Sequence, residues 1–170
     1  MTTMAKSDSF FIRAGVDWNG TTYTQNSIDL GAYVDALGKS VLRIHRAECV
    51  WDSPLDVPAV TADQNHMANF QLTTQSQSAL VEATDKSVIS SGSMYFSGGA
   101  PGTAGTQTLS ERLNLGPQNW TNGYLVGVEQ IYLAVDQTMT LFSGQFSLVL
   151  ECSVETLSSS AAMALALSQQ

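Results

Sequence analysis

The segment FSGQFSLVLECSVETL near the C-terminus alternates apolar and polar side chains from Phe146 to Glu155. The apolar set comprises Phe146, Leu148, Leu150, Cys152 and Val154, and the other set comprises mainly Ser147, Glu151, Ser153 and Glu155. Successive side chains of a strand point to opposite faces of the sheet, so this alternation predicts a half-buried antiparallel strand. Such a strand needs partner strands and a second layer that covers its apolar face.

Most of the remaining chain also predicts strands, because segments rich in aromatic and β-branched residues are bounded by turn-forming residues. Strands are predicted over 10–18, 21–30, 40–51, 87–98, 123–136 and 141–157, with strand-like pieces in 69–84 and either a strand or a helix over 108–116. Asn19-Gly20 predicts a hairpin between the first two strands. About eight strands with few helices predict one all-β domain over 1–157, an antiparallel β-sandwich or jelly roll.

Two connecting segments carry other signals. The spacing of Tyr33, Ala36 and Leu37, followed by Gly38, predicts a single helical turn within 32–40. Two prolines predict a loop over 52–68.

The segment SVLRIHRAECVW, residues 40–51, mixes apolar and charged side chains on both sets of alternate positions. A strand with this pattern is expected to be buried on both faces or to contact another subunit.

The C-terminal tail, residues 158–170, reads SSSAAMALALSQQ. Its serines can cap a short helix over 161–167. Such a helix is too short to be stable alone, so Met163, Leu165 and Leu167 need a surface to pack on. That surface is either its own domain or a neighbouring subunit, which the tail would reach as an arm. A membrane surface is disfavoured because the segment has no basic residue.

Composition excludes some classes of function. Charged residues make up 13% of the chain and the net charge is −8, against a usual charged fraction of roughly 25%. The few cations are scattered, whereas binding of nucleic-acid phosphates requires clustered lysine and arginine. We therefore expect no direct nucleic-acid binding. The sequence shows no secretory signal, which predicts folding in the cytoplasm.

Fragments of reactive chemistry are present, but none forms a recognised pattern. They are a His45–Glu48–Cys49 group, an Asp63–His66 pair near many serines, the glycine-rich GGAPGTAG, and the acids Asp52, Asp56 and Asp63. Zinc sites, nucleophile elbows, P-loops and EF-hands each require spacings that are missing here. We therefore predict no catalytic residue, no metal site and no cofactor. Cys49 and Cys152 are expected to be free buried thiols, with a disulfide between neighbouring strands as the alternative.

The three tryptophans leave a choice of interpretation. Trp18, Trp51 and Trp120 lie near turn residues, where exposed aromatic rings would form a carbohydrate-binding face. Tryptophans at strand ends also fill the open ends of a sandwich. An adhesin-like module that binds a carbohydrate or another ligand is therefore the alternative to a structural role.

As a whole, the chain resembles the single jelly-roll capsid proteins of tailless icosahedral viruses with an internal membrane. The resemblance rests on the start running into FFIRAGVDW, about eight β segments, a neutral Ser/Thr/Gln/Gly-rich character, and the segments GYLVGVEQIYLAVD and FSGQFSLVLECSVETL. The absence of a basic arm departs from the small RNA-virus coat proteins of similar size.

This resemblance implies a capsid protein located in the virion that assembles into capsomers and a shell through loops, strand edges and terminal segments. A second coat protein and an internal membrane, contacted indirectly, are further partners that this family admits. The interface candidates are Met163, Leu165, Leu167, Trp51 and Trp120.

Overall fold

The computed structural model describes residues 6–18, 20–35, 39–52, 64–98, 108–112, 118–139 and 144–170. In these ranges the chain forms nine strands and one helix. The strands are β1 Phe10–Asp17, β2 Thr24–Asp29, β3 Ser40–Asp52, β4 Asn65–Thr73, β5 Val88–Ser97, β6 Thr108–Arg112, β7 Gln118–Val126, β8 Gln130–Gln137 and β9 Gln145–Thr156, and the helix is α1 Ser159–Ser168.

The strands form two antiparallel sheets, with the orders β1-β9-β3-β7 and β2-β8-β4-β5-β6. With the edge strand β6 set aside, the other eight strands pair as one long hairpin rolled on itself. The pairs are β1 with β9, β2 with β8, β3 with β7, and β4 with β5. This is the winding of a jelly roll, so the predicted all-β sandwich is confirmed.

The core lies between the inner faces of the two sheets. Phe146 of β9 stacks on Phe70 of β4 across the sandwich, with ring centroids 5.0 Å apart. Trp18 meets the edge of Phe146 at 6.3 Å. Leu148, Leu150 and Cys152 continue the same face of β9 and are buried, so the predicted apolar face of this strand is confirmed.

The mixed pattern of β3 has a specific cause. Ile44 pairs with Cys152 and Arg46 with Glu151, so β3 contributes one extra residue, His45, at a β-bulge. A bulge moves every later side chain to the other set of alternate positions. Leu42 and Ile44 before the bulge therefore share the inner face with Ala47 and Cys49 after it.

The predicted hairpin between the first two strands is wrong, since β1 and β2 lie in opposite sheets. Gly20 does have the positive φ, 58°, of a tight turn. However, the Trp18 N–H donates to Gly144 O at 2.9 Å, which keeps the end of β1 beside the start of β9. The turn is thus a corner between sheets, and long-range pairing overrides the local hairpin signal.

The segment 123–136, predicted as one strand, is divided between β7 and β8 in opposite sheets. The chain crosses between the sheets at 127–129, where Val128 is buried like the apolar residues of the flanking strands, so the sequence pattern did not show the break. Strand β4 also begins within the predicted loop 52–68, at Asn65, and ends at Thr73 within 69–84.

The structure tests the predictions for two other segments only in part. Of the two alternatives for 108–116, a strand is present over Thr108–Arg112. A hydrogen-bonded turn precedes the predicted one, since the Leu30 carbonyl accepts from the Val34 N–H at 2.9 Å. Ala36, Leu37 and Gly38, on which the predicted turn in 32–40 depends, lie outside the described residues.

The cysteines are free thiols, as expected. Burial, and secondarily a neighbouring glutamate, raises the pKa of each thiol to about 12. Cys152 is buried in the core and Cys49 packs against it.

The Phe70–Phe146 stack predicts where the sandwich is most sensitive. Phe146→Ala should lower the free energy of unfolding by about 3–5 kcal/mol, because it leaves a cavity between the sheets. Chemical denaturation followed by tryptophan fluorescence measures the change. The matched control is Phe11→Ala, the same substitution at an exposed position, which should stay within about 0.5 kcal/mol of the wild type. Equal losses in the two variants would contradict the assignment of the core.

Candidate assembly surfaces

The outer face of the four-stranded sheet carries much of the chain's positive charge. Arg13 of β1 and Arg43 and Arg46 of β3 point outward by register, and Lys6 reaches the same face through its bridge to Glu155. They are mixed there with Glu48, Glu151 and Glu155. This face is therefore nearly neutral within a chain of net charge −8.

A bidentate ion pair fixes one end of this face. Arg43 Nε and Nη2 donate to the two carboxylate oxygens of Glu155, each at 2.6 Å. Arg43 also donates to the carbonyl of Asn122, and Lys6 Nζ lies 3.6 Å from Glu155 Oε1. The arginine crosses β7 at Gly123, where an added Cβ would lie 2.5 Å from Arg43 Cγ.

This ion pair predicts a dependence of stability on pH. The hydrogen bond from Arg43 lowers the pKa of Glu155 below its usual value. The ion pair therefore contributes fully to the free energy of unfolding above the unfolded-state pKa of Glu155, about 4.3. This contribution is lost as the pH falls through the lower folded-state pKa of Glu155. Wild type should lose stability on acidification more steeply than Glu155→Gln, as measured by denaturation between roughly pH 3 and pH 7, a range that includes the ordinary carboxylate pKa values.

The control for this experiment is Glu48→Gln. Glu48 Oε2 lies 3.2 Å from Arg46 Nη2, but both side chains are more than two-fifths exposed. An exposed pair contributes little, so this variant should follow the wild-type pH profile. If Glu155→Gln also follows it, the ion pair does not stabilise the fold.

Helix α1 docks on its own domain, which was one of the two alternatives for the tail. The helix spans Ser159–Ser168 and is capped by the Ser158 side chain, so the predicted helix is confirmed. An added Cβ on Gly127 would lie 3.0 Å from Leu165 Cγ and 3.1 Å from Ala166 N. The helix therefore approaches the backbone after β7 so closely that a side chain at position 127 would require the helix to shift.

Gln169 fastens this helix. Its side-chain oxygen accepts from the Gly127 N–H at 2.8 Å, and its side-chain nitrogen donates to Leu125 O at 2.7 Å. Its main-chain carbonyl accepts from Thr74 Oγ1 at 3.0 Å. Because β7 is an edge strand, the Gln169 amide occupies backbone groups that would otherwise be open to another strand.

Gln169 should therefore contribute measurably to stability. Gln169→Ala leaves a buried N–H and a carbonyl without partners, and should lower the free energy of unfolding by about 1–3 kcal/mol. Gln170→Ala removes a neighbouring exposed side chain and serves as the control. Thermal or urea denaturation distinguishes the two variants. If Gln169→Ala has the same free energy of unfolding as the wild type, α1 is only loosely held.

Large apolar side chains stand exposed at two places. Met163 and Leu167 project from α1, 51% and 64% exposed, while Leu165 packs toward Gly127. Phe11 and Val50, on the outer face of the four-stranded sheet, are 61% and 41% exposed. The sequence held a signal for Phe11: Phe10 and Phe11 are adjacent in a strand, so one of them must face outward.

A cleft lies over the outer face of the five-stranded sheet, under the connection from β4 to β5. A hydrogen bond anchors this connection to the sheet, since Gln71 Oε1 of β4 accepts from the Val81 N–H at 2.9 Å. The cleft has a volume of about 680 Å³ and is lined by Asn69, Ser91 and Ser93 of the sheet and by Leu80, Val81 and Glu82 of the connection. Sequence reasoning did not find it, because it depends on how a loop folds back.

The tryptophans that the structure describes pack inward. Trp120 contacts the core and Tyr124, with ring centroids 6.0 Å apart, and Trp18 packs on Phe146. Trp51 belongs to β3, but its side chain lies outside the described residues. The described tryptophans thus pack against the core.

The two histidines of the reactive fragments hydrogen-bond other polar side chains. His45 hydrogen-bonds Ser153 Oγ at 2.8 Å, and His66 lies between Thr138 and Gln64. Asp56, Asp63 and most of GGAPGTAG lie outside the described residues, as does the side chain of Asp52. Within the ranges described, no group of three or more His, Cys, Asp or Glu side chains could hold a metal ion. No helix in those ranges is long and apolar enough to cross a membrane.

Comparison with known proteins gives no relative by sequence: no family model and no curated protein matches the chain. Among solved structures, a mutant of the unassembled VP1 pentamer of Washington University polyomavirus is similar, with a TM-score of 0.45 and 10% identity over 86% of this chain and 92% of that chain. Desmodium yellow mottle tymovirus matches with a TM-score of 0.40 and 8% identity over 92% of this chain and 90% of that chain. Likenesses this distant support no inference about activity, and the jelly-roll assignment rests on the strand order itself.

Proposed function

We propose that this chain is a viral coat protein that associates with copies of itself into an icosahedral shell, in a tailless virus with an internal membrane. The observation that carries the proposal is the exposure of four large apolar side chains on two separate surfaces, Phe11 with Val50 and Met163 with Leu167. Isolated exposed apolar residues are common. Here Phe11 and Val50 lie on a face whose positive and negative charges nearly balance, so that subunits meeting there repel each other little.

Two surfaces matter because a closed shell needs more than one contact per subunit. A subunit with a single self-complementary patch stops at a dimer, whereas unlike patches continue into rings or larger arrays. Phe11 lies on the edge strand β1, and α1 packs at β7, the opposite edge of the same sheet. Contacts at both edges would give each subunit neighbours on two sides.

In this proposal the C-terminal tail takes part in a contact between subunits while it stays docked on its own domain. Gln169 holds α1 in place, so Met163 and Leu167 are presented to a neighbour on a fixed helix. A second coat protein and an indirectly contacted membrane are the further proposed partners. The net charge of −8 accords with a shell protein that leaves the genome to other components.

The proposal is tested by the assembly state of the purified protein. Negative-stain electron microscopy and analytical ultracentrifugation should show capsomers or closed particles that form with increasing concentration. A monodisperse monomer at high concentration would contradict a shell function. A monomer that binds glycans on an array would instead support the carbohydrate-binding alternative.

A double variant tests the contribution of α1. Met163→Ser with Leu167→Ser should raise the protein concentration needed for assembly about tenfold or more, since a loss of roughly 1.4 kcal/mol per contact is tenfold in affinity. Its thermal unfolding should match that of the control Ala164→Ser, an exposed change on the same helix. Assembly at the wild-type concentration would exclude α1 from the interface.

A further inference from the structure

We propose that the exposed Phe11–Arg13 pair on β1 of one subunit docks into the cleft between β4, β5 and their connection on the next subunit. This inference rests on the proposed self-assembly and assigns two unlike surfaces to one contact. The partner is a second copy of this chain, joined head to tail.

The first surface is a protruding apolar side chain beside a free cation. Phe11 is 61% exposed, and Arg13, two residues along the same face, is also exposed. Within the described part of the chain Arg13 has no ion-pair or hydrogen-bond partner, unlike Arg43 and Arg46. Because β1 is an edge strand, both side chains can reach a neighbouring molecule.

The second surface matches these groups in size and chemistry. The cleft volume of about 680 Å³ exceeds that of a phenylalanine side chain. Leu80 and Val81 form an apolar wall for the ring, and the Glu82 carboxylate stands exposed at the rim. Asn69, Ser91 and Ser93 line the floor, and their side chains make no hydrogen bond within the described residues.

Charge favours this occupant over a self-complementary contact. On the outer face of the four-stranded sheet, Lys6, Arg43 and Arg46 are paired with glutamates, whereas Arg13 has no ion-pair partner within the described residues. The rim of the cleft is acidic, with Glu82 and Asp85. Two copies of Arg13 or two copies of the rim would place like charges together, whereas Arg13 and the rim attract.

The geometry then requires a head-to-tail contact. An apolar side chain that fits a pocket elsewhere on the same molecule forms a heterologous contact, which closes into a ring or continues through the array. An open chain of subunits keeps one unused pair at one end and one unused cleft at the other until a ring closes. The contact therefore extends assembly beyond the dimer.

Complementation between two defective variants tests the proposal. Phe11→Ala removes the pair but keeps the cleft, and Ser93→Trp fills the cleft but keeps the pair. Each variant alone should assemble at least tenfold less readily than wild type in ultracentrifugation. An equimolar mixture should form a one-to-one complex by native mass spectrometry, because one working surface remains on each partner.

Exchanging the charges of Arg13 and Glu82 provides an independent measurement that does not need the bulky Ser93→Trp substitution. Arg13→Glu and Glu82→Arg should each weaken assembly at least tenfold, and the double variant should recover most of the loss. Lys39→Glu and Glu129→Arg, the same charge changes at other positions, are the controls. Circular dichroism and thermal unfolding establish that each variant is folded.

The outcomes separate this inference from the proposed function. If wild type itself remains monomeric, the shell function fails and this contact with it. If wild type assembles and Phe11→Ala assembles equally well, the contact is wrong and the shell function stands. Defective single variants that remain monomeric when mixed, or charge variants that fail to compensate, would also overturn the head-to-tail contact.

Discussion

The fold depends on β9, because this strand joins its two neighbours in one sheet and packs against the opposite sheet. It pairs with β1 on one side and β3 on the other, and its Phe146 stacks on Phe70 of the opposite sheet. Its inner side chains are buried, and its outer Glu155 holds Arg43. Apolar burial between the layers supplies the main stabilisation, and the charged outer face is left available for contacts.

The sequence predicted the character of the strands better than their partners. Alternation is a local property, so β9 and the all-β class could be recognised directly. Pairing is not local: Gly20 lies in a turn, yet β1 and β2 enter different sheets. The break between β7 and β8 was hidden because both strands are apolar toward the same core. In β3, a single bulge at His45 explained a pattern that had suggested burial on both faces or a subunit contact.

The candidate surfaces could be predicted only in part for the same reason. Met163 and Leu167 were visible as apolar residues on a short helix, and they are exposed in the fold. The cleft over β4 and β5 depends on the hold of Gln71 on a distant loop, which no sequence spacing encodes. Gln169 likewise carries no signal, because a glutamine that bonds strand backbone looks like any other polar residue near a terminus.

The two cysteines have a consequence for the conditions that the protein tolerates. Disulfide exchange requires a thiolate, and thiols whose pKa is raised to about 12 stay protonated near neutral pH. Passage from a reducing to an oxidising environment therefore disfavours disulfides from Cys49 or Cys152 to neighbouring molecules. The contacts proposed above would then be non-covalent, so that a misplaced subunit can dissociate and bind again.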